Sequence, residues 1–235
     1  MRFNRQTLGI LLIVMMIGAG GCSSMRATPV QPTAESLSGK VTFAGSTTVQ
    51  PLAATLGQAF NEMYPAVTLD IAAGGSSVGI KAVHDGSVDI GMASRSLSEE
   101  EAEGVEIHKI AVDVIAVIVH PDNPVDSLTF EALAGIYGGE ILNWQAVGGP
   151  DADIVVGIRE TTSGTRKAFD KLVLEGNNPA APKTETLMTN GDVVALVKDT
   201  PDAIGYVGFG YIQEGLKTVK IDGVEPTHQN AMNSS

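Results

Sequence analysis

Cysteine is almost absent from these 235 residues: Cys22 stands alone, so no disulfide can close within the chain. Aromatic side chains make up only 5%, which argues against an aromatic-lined pocket for sugars or nucleobases. Basic residues are scarce, with 15 Lys and Arg against 27 Asp and Glu, and they form no cluster of five or more. Nucleic acid is therefore not an expected partner. No G-x-x-x-x-G-K-[ST] string occurs, so a P-loop is not indicated. His84, His108, His120 and His228 stand in no nucleophile–base motif, and no two lie three or four residues apart. Neither an enzyme nor a metal site is expected, and no cofactor.

What is present is glycine, 27 residues of it, and a 43% hydrophobic content. The second is enough for one large or two small domains. The first suggests backbone brought close to something small and polar. The N-terminus has its own character: Arg2 and Arg5, then ten apolar residues from Leu8 to Ile17, then Ala19-Gly20-Gly21 ahead of Cys22. Ten residues are too few to cross a bilayer, and the order is that of an export signal, residues 1–21. It resembles a lipoprotein signal in which Cys22 becomes the acylated first residue, on the outer face of the membrane; an uncleaved anchor is the alternative. Removing residues 1–21, which carry two arginines and no acid, takes the formal charge from −12 to −14. Residues 22–39, polar and with two prolines, read as a tether.

From Lys40 onward short apolar runs alternate with amphipathic stretches. KVTFAG, AVTLDIAAGG, SVDIGMAS and HKIAVDVIAVIVHP read as strands between the helical PLAATLGQAFNEMY and VGIKAVHDG. LTFEALAGIYG, TSGTRKAFDKLVL and DVVALVKDT read as helices around the strands ADIVVGIRE and AIGYVGFG. Alternation of this kind predicts an α/β chain with mainly parallel sheets flanked by helices. VIAVIV has no polar alternation, as in strands buried on both faces. His120-Pro121-Asp122-Asn123-Pro124 is read as a first crossover between two lobes and Ile204–Phe209 as the return, giving 40–117 plus 206–235 as lobe 1 and 118–205 as lobe 2.

Three strand-to-helix turns share one chemistry. Gly45-Ser46-Thr47-Thr48, Gly74-Gly75-Ser76-Ser77 and Thr162-Ser163-Gly164-Thr165 each put small hydroxyl residues and glycine at a helix start. Taken singly they are N-caps. Taken together at the carboxyl ends of strands, they would surround a tetrahedral oxyanion with neutral donors and helix dipoles. Arg159, four residues before Ser163, can add a bidentate grip, and Arg95 follows another strand; each could equally serve a surface salt bridge.

AGSTTVQP, GGSSVGIK, VDIGMASR, LNWQAVGG, RETTSGTR and AIGYVGFGYI, in this order over about residues 40–228, resemble the phosphate-binding proteins of phosphate ABC transporters. The resemblance implies a two-lobed type II periplasmic-binding-protein fold, joined by two crossing strands, with the anion held between the lobes. It implies phosphate contacts at Ser46, Thr47, Thr48, Ser76, Arg159, Ser163, Gly164 and Thr165. Arg95 occupies a position where several members have an aspartate that accepts the proton of hydrogen phosphate, and is carried along as a contact. With arginine there, Asp113 is the nominated acceptor, against a reading as a strand-end cap. Inorganic phosphate and permease subunits are the implied partners, and a monomer is expected. Other tetrahedral oxyanions such as sulfate or molybdate, and a sensor or adhesion role on the same fold, are the competing readings. The negative net charge does not oppose an anion receptor, because charges beyond about 8–10 Å are screened at physiological salt.

Overall fold

The computed structural model describes residues 37–233. The expected signal peptide and most of the tether lie outside the described residues. The chain runs β1 (Gly39–Gly45), α1 (Gln50–Met63), β2 (Val67–Ala73), α2 (Ser76–His84), β3 (Ile90–Met92) and the short α3 (Glu99–Ala102). After residues 103–114, which carry no strand or helix, come β4 (Ile115–Val119), β5 (Ser127–Leu128), α4 (Phe130–Gly138) and a 3-10 turn at Trp144–Val147. Next follow β6 (Val155–Arg159), α5 (Gly164–Val173), β7 (Thr184–Leu187), α6 (Asn190–Asp199) and β8 (Ala203–Gly208). A second 3-10 turn at Phe209–Tyr211, β9 (Lys217–Thr218), β10 (Lys220–Ile221) and α7 (His228–Asn233) complete the order.

Two main sheets result. The first, β2-β1-β3, is wholly parallel, with Gly39 opposite Val67 and Gly45 opposite both Ala73 and Met92. The second, β7-β6-β8-β4-β9, is parallel from β7 to β8 and antiparallel at β4 and β9. The expected mainly parallel α/β architecture is thus present, with antiparallel pairing on one side of the second sheet. The run VIAVIV behaves as its composition predicts: Ala116 to Val119 are buried. A parallel sheet directs its strand ends to one edge, and that is why the three hydroxyl-rich turns, each following a parallel strand, can converge.

Local signals explain the elements. Pro51 opens α1, where a missing N–H costs nothing, and Tyr64-Pro65 ends it. Thr129 caps α4 by accepting from the Ala132 N–H, and Gly139 at φ 84° closes it. The second sheet holds most of the buried apolar surface, including Trp144, whose indole N–H donates to the Asp202 carbonyl at 2.9 Å. Phe169 stacks on Tyr206 at a ring separation of 4.0 Å, with Tyr137 tilted against both.

Three boundaries differ from those expected. Only Ile115–Val119 of HKIAVDVIAVIVHP is strand; Ile107, Ile110 and Val112 are exposed and unpaired. The apolar residues before Asp113 promised a strand, but none of the described strands lies alongside to receive their hydrogen bonds. The passage between the sheets therefore runs through 103–114, and His120–Pro124 is a turn beyond it. The described residues of 206–235 also go elsewhere than lobe 1. β8 lies between β6 and β4, β9 pairs with β4, β10 pairs with β5, and Val219 is fully buried in the core of the second sheet. Apolar surface decides this, because the second core offers those residues burial that the thin first sheet cannot.

Candidate functional site

The three turns meet. In the first, Ser46 accepts from the N–H groups of Thr48 and Val49 at 3.2 and 3.3 Å, a turn that leads into α1. This directs the Thr47 and Thr48 side chains across to the second sheet. The Thr47 hydroxyl oxygen accepts from Arg159 Nη2 at 3.1 Å and from Asn190 Nδ2 at 3.2 Å. Thr48 accepts from Asn190 Nδ2 at 2.9 Å and lies 2.8 Å from the Thr165 hydroxyl.

In the second turn, Ser76 opens α2 fully buried, and its hydroxyl oxygen accepts from the Ser94 N–H at 3.1 Å. Gly75 has φ 87°, and a methyl there would meet Thr162 Oγ1 at 2.6 Å. The approach is close enough for the Ser77 N–H to donate to the Thr162 carbonyl at 3.0 Å. In the third turn Ser163 caps α5 by accepting from the Arg166 N–H at 3.2 Å. Gly164 is pressed against the second turn: a methyl on it would lie 2.1 Å from Ser76 Oγ and 2.8 Å from Ser94 Oγ. Only glycine allows the N-terminus of α5 to come so near the two serines. That end brings unpaired helical N–H groups and the positive end of the helix dipole.

Arg159 is the charge of the site. It ends β6, is 1% exposed, and holds the Leu187 and Met188 carbonyls with Nε and Nη2 at 3.3 and 2.6 Å. Its backbone N–H donates to the Tyr206 hydroxyl at 3.2 Å, so the aromatic stack beneath fixes its base. Arg166 donates to the Arg159 carbonyl at 2.8 Å and pairs with Asp170 at 3.1 Å. Nη1 of Arg159 is buried and has no partner among the described residues. Burial lowers the Arg159 pKa, yet a guanidinium stays charged in proteins. A buried, charged donor without an acceptor is costly unless an anion meets it.

One expected contact is placed otherwise. Arg95 grips Glu101 with both terminal nitrogens, at 2.6 and 2.7 Å, and Nη1 also reaches the Ser96 carbonyl. That partnership holds the Glu101 carboxyl down to about 2. The fork is therefore spent on a carboxylate of α3, the salt-bridge reading of this arginine. Asp113 accepts from the Phe209 N–H at 3.1 Å, the strand-end cap reading. It also borders the site: a methyl on Gly208 would meet Thr48 Cγ2 at 2.5 Å and Asp113 Oδ2 at 2.7 Å. Partial burial of its carboxyl raises the pKa above the ordinary range.

Three contributors have no counterpart in the residues singled out from the sequence. They are Asn190, fully buried; Ser94; and Tyr211, whose hydroxyl donates to the Thr47 carbonyl at 2.7 Å. Asn190 opens α6 in a Thr-Asn-Gly string, which reads as a helix cap, and its partners are more than 140 residues away. Among the described residues no group of three or more His, Cys, Asp or Glu is gathered that could hold a metal.

Neutral hydroxyls, a helix N-terminus and one buried guanidinium, contributed by both sheets of an α/β fold, form an arrangement suited to a small anion. The profile of the PBP superfamily domain matches residues 30–235. The phosphate-binding protein PstS of Bacillus subtilis is 34% identical over 98% of this chain and 79% of its own length. That of Borreliella burgdorferi is 33% identical over 80% of this chain and 72% of its own. Among solved structures, a phosphate ABC transporter substrate-binding protein from Clostridium perfringens, crystallised with bound phosphate, superposes with a TM-score of 0.80. It is 40% identical, over 83% of this chain and 81% of that one. An ABC-type phosphate transport receptor from Vibrio cholerae gives a TM-score of 0.67 at 32% identity, over 84% and 82% of the two chains. The chain belongs to the PstS family of phosphate-binding proteins within the PBP superfamily.

Proposed function

We propose that this chain is the extracytoplasmic receptor of a phosphate ABC transporter, which captures inorganic phosphate between its two sheets and presents it to a permease. It binds and releases and performs no chemistry on its ligand. The observation that carries the reading is the buried, unpartnered Nη1 of Arg159, whose Nη2 donates to the Thr47 hydroxyl, in the turn where Thr48 meets Thr165. In this reading phosphate oxygens take the donors of Thr47, Thr48 and Ser76 from one side. Arg159, the Gly164 N–H, Ser163 and Thr165 supply the other. Ser46 shapes its turn, and Arg95, committed to Glu101, stays outside the contact set. The anion replaces the direct Thr48–Thr165 contact and bridges the two sides, so the joined form is stabilised by contacts that a separated form lacks. Asp113 is the candidate acceptor for the proton of hydrogen phosphate, because it borders Thr48 across Gly208.

The N-terminal segment supports export and a lipid anchor at Cys22. Cys22→Ser releasing the protein from the membrane fraction is the corresponding outcome. The function is tested by calorimetry on phosphate-freed protein with phosphate, then with excess sulfate as competitor. Tight binding that sulfate leaves intact is expected. Displacement by sulfate shifts the reading to a general oxyanion receptor, and absence of phosphate binding overturns it.

A further inference from the structure

Asn190 performs a task that neither a cap nor a core asparagine explains. It is fully buried at the first position of α6, whose N-terminus is already closed by Thr189 and Asp192 acting as a capping box. Its carboxamide reaches outward instead. Oδ1 accepts from the Gly208 N–H at 3.2 Å, while Nδ2 donates to Thr47 and Thr48 of the other sheet at 3.2 and 2.9 Å. The Gly208 amide can only donate, so it fixes which end of the carboxamide is oxygen and leaves the NH₂ facing the two threonines.

The consequence lies in the hydroxyl hydrogens. Thr47 Oγ1 accepts from Asn190 Nδ2 and from Arg159 Nη2 together. A hydroxyl oxygen has two acceptor positions. With both filled, the Thr47 hydrogen can only be donated away from them. Thr48 likewise has one acceptor position taken by Asn190 and shares the other side of its oxygen with Thr165. We propose that Asn190 is a positioning residue: it holds the Thr47 and Thr48 hydroxyls as donors toward the anion and fastens the first-sheet turn to α6 and β8 once the two sides meet. This rests on the reading of the cleft as a phosphate site.

The test combines stopped-flow binding of inorganic phosphate with calorimetry on wild type, Asn190→Ala, Thr47→Val and the double variant, each checked by thermal melting in phosphate-free buffer. Asn190→Ala is expected to weaken phosphate binding by about 10- to 100-fold, the loss of one or two oriented donors to a charged ligand. The loss falls on the dissociation rate, because the bonds exist only when the sides are joined. In the Thr47→Val background the Asn190 effect shrinks, since one of the hydroxyls it orients is gone. Asn190→Asp keeps the volume and the Gly208 bond but turns acceptors toward the threonines, and is expected to lose at least as much as the alanine variant. Wild-type affinity in either Asn190 variant overturns the proposal, as does a loss confined to the association rate. Effects of Asn190→Ala and Thr47→Val that simply multiply overturn the orienting role. If wild type itself binds no phosphate, the functional reading falls and this proposal with it.

Discussion

Replacing Arg159 by methionine separates binding from stability. The side chain is 1% exposed and makes three hydrogen bonds, to Leu187, Met188 and Thr47, with Nη1 left over. A hydrogen bond to a charged group contributes about 1.5–3 kcal/mol. The substitution removes the one offered by Nη1 and slackens Thr47, so phosphate affinity should fall by about 3–4 kcal/mol, between roughly a hundredfold and a thousandfold. Folding without ligand is a different matter. Burial is the dominant influence on the Arg159 ionisation and acts against the charged form. The effective cost of burying an ion, several kcal/mol, is of the same size as the bonds it makes. Methionine fills the volume without that cost, and the melting temperature in phosphate-free buffer should be unchanged or raised. Melting curves with and without phosphate, beside calorimetry, read both effects, since a ligand stabilises by about 2.7 kcal/mol at roughly a hundred times its Kd. A variant that still binds within about threefold of wild type, far short of the loss of one charged hydrogen bond, would refute the reasoning. So would a large fall in melting temperature with affinity intact.

Gly164→Ala should abolish tight phosphate binding in calorimetry while leaving helix content by circular dichroism unchanged, because its methyl would lie 2.1 Å from Ser76 Oγ and force the sides apart while alanine suits α5. The Arg95–Glu101 pair stabilises the fold above the ordinary carboxyl value of 4.5 and loses that contribution as pH falls from there through about 2. Arg95→Met should therefore flatten the acid limb of a denaturation profile and leave phosphate affinity unchanged. Asp113 has the opposite sign: its raised pKa means that the folded protein holds the proton more tightly, so stability is lost as pH rises through the raised value. Asp113→Asn should raise the melting temperature at pH 7 and, if the carboxylate receives the phosphate proton, reduce discrimination against sulfate in competition calorimetry.

The turns were legible because their chemistry is local. Ser46, Ser76 and Ser163 each read as helix starts in the sequence; Ser163 caps α5 and Ser76 is the first residue of α2, while Ser46 lies in the turn four residues before α1. The buried character of β4 was legible for the same reason, since Ala116–Val119 lack polar alternation. What escaped depends on distant partners. Asn190 in Thr-Asn-Gly looks like a cap until Thr47 is placed beside it, and Tyr211 looks like an ordinary aromatic after a strand. Arg95 offered two readings, and the choice went to Glu101 because the capping box at Ser98 delivers that carboxylate within reach. The passage between the sheets was misplaced because His108–Val112 was read as the start of a strand that runs on to Val119. Pairing, which no local pattern encodes, ends at Ile115.

Among the described residues the backbone goes from one sheet to the other once, through 103–114. The docked orientation is then chosen by side chains and by a few backbone contacts: Thr48 on Thr165, Ser77 on Thr162, Asn190 on both threonines, Tyr211 on Thr47. In the proposed reading, orientation and ligand recognition are written in the same handful of atoms, so a substitution that loosens the grip on the anion also widens the range of angles at which the halves can meet.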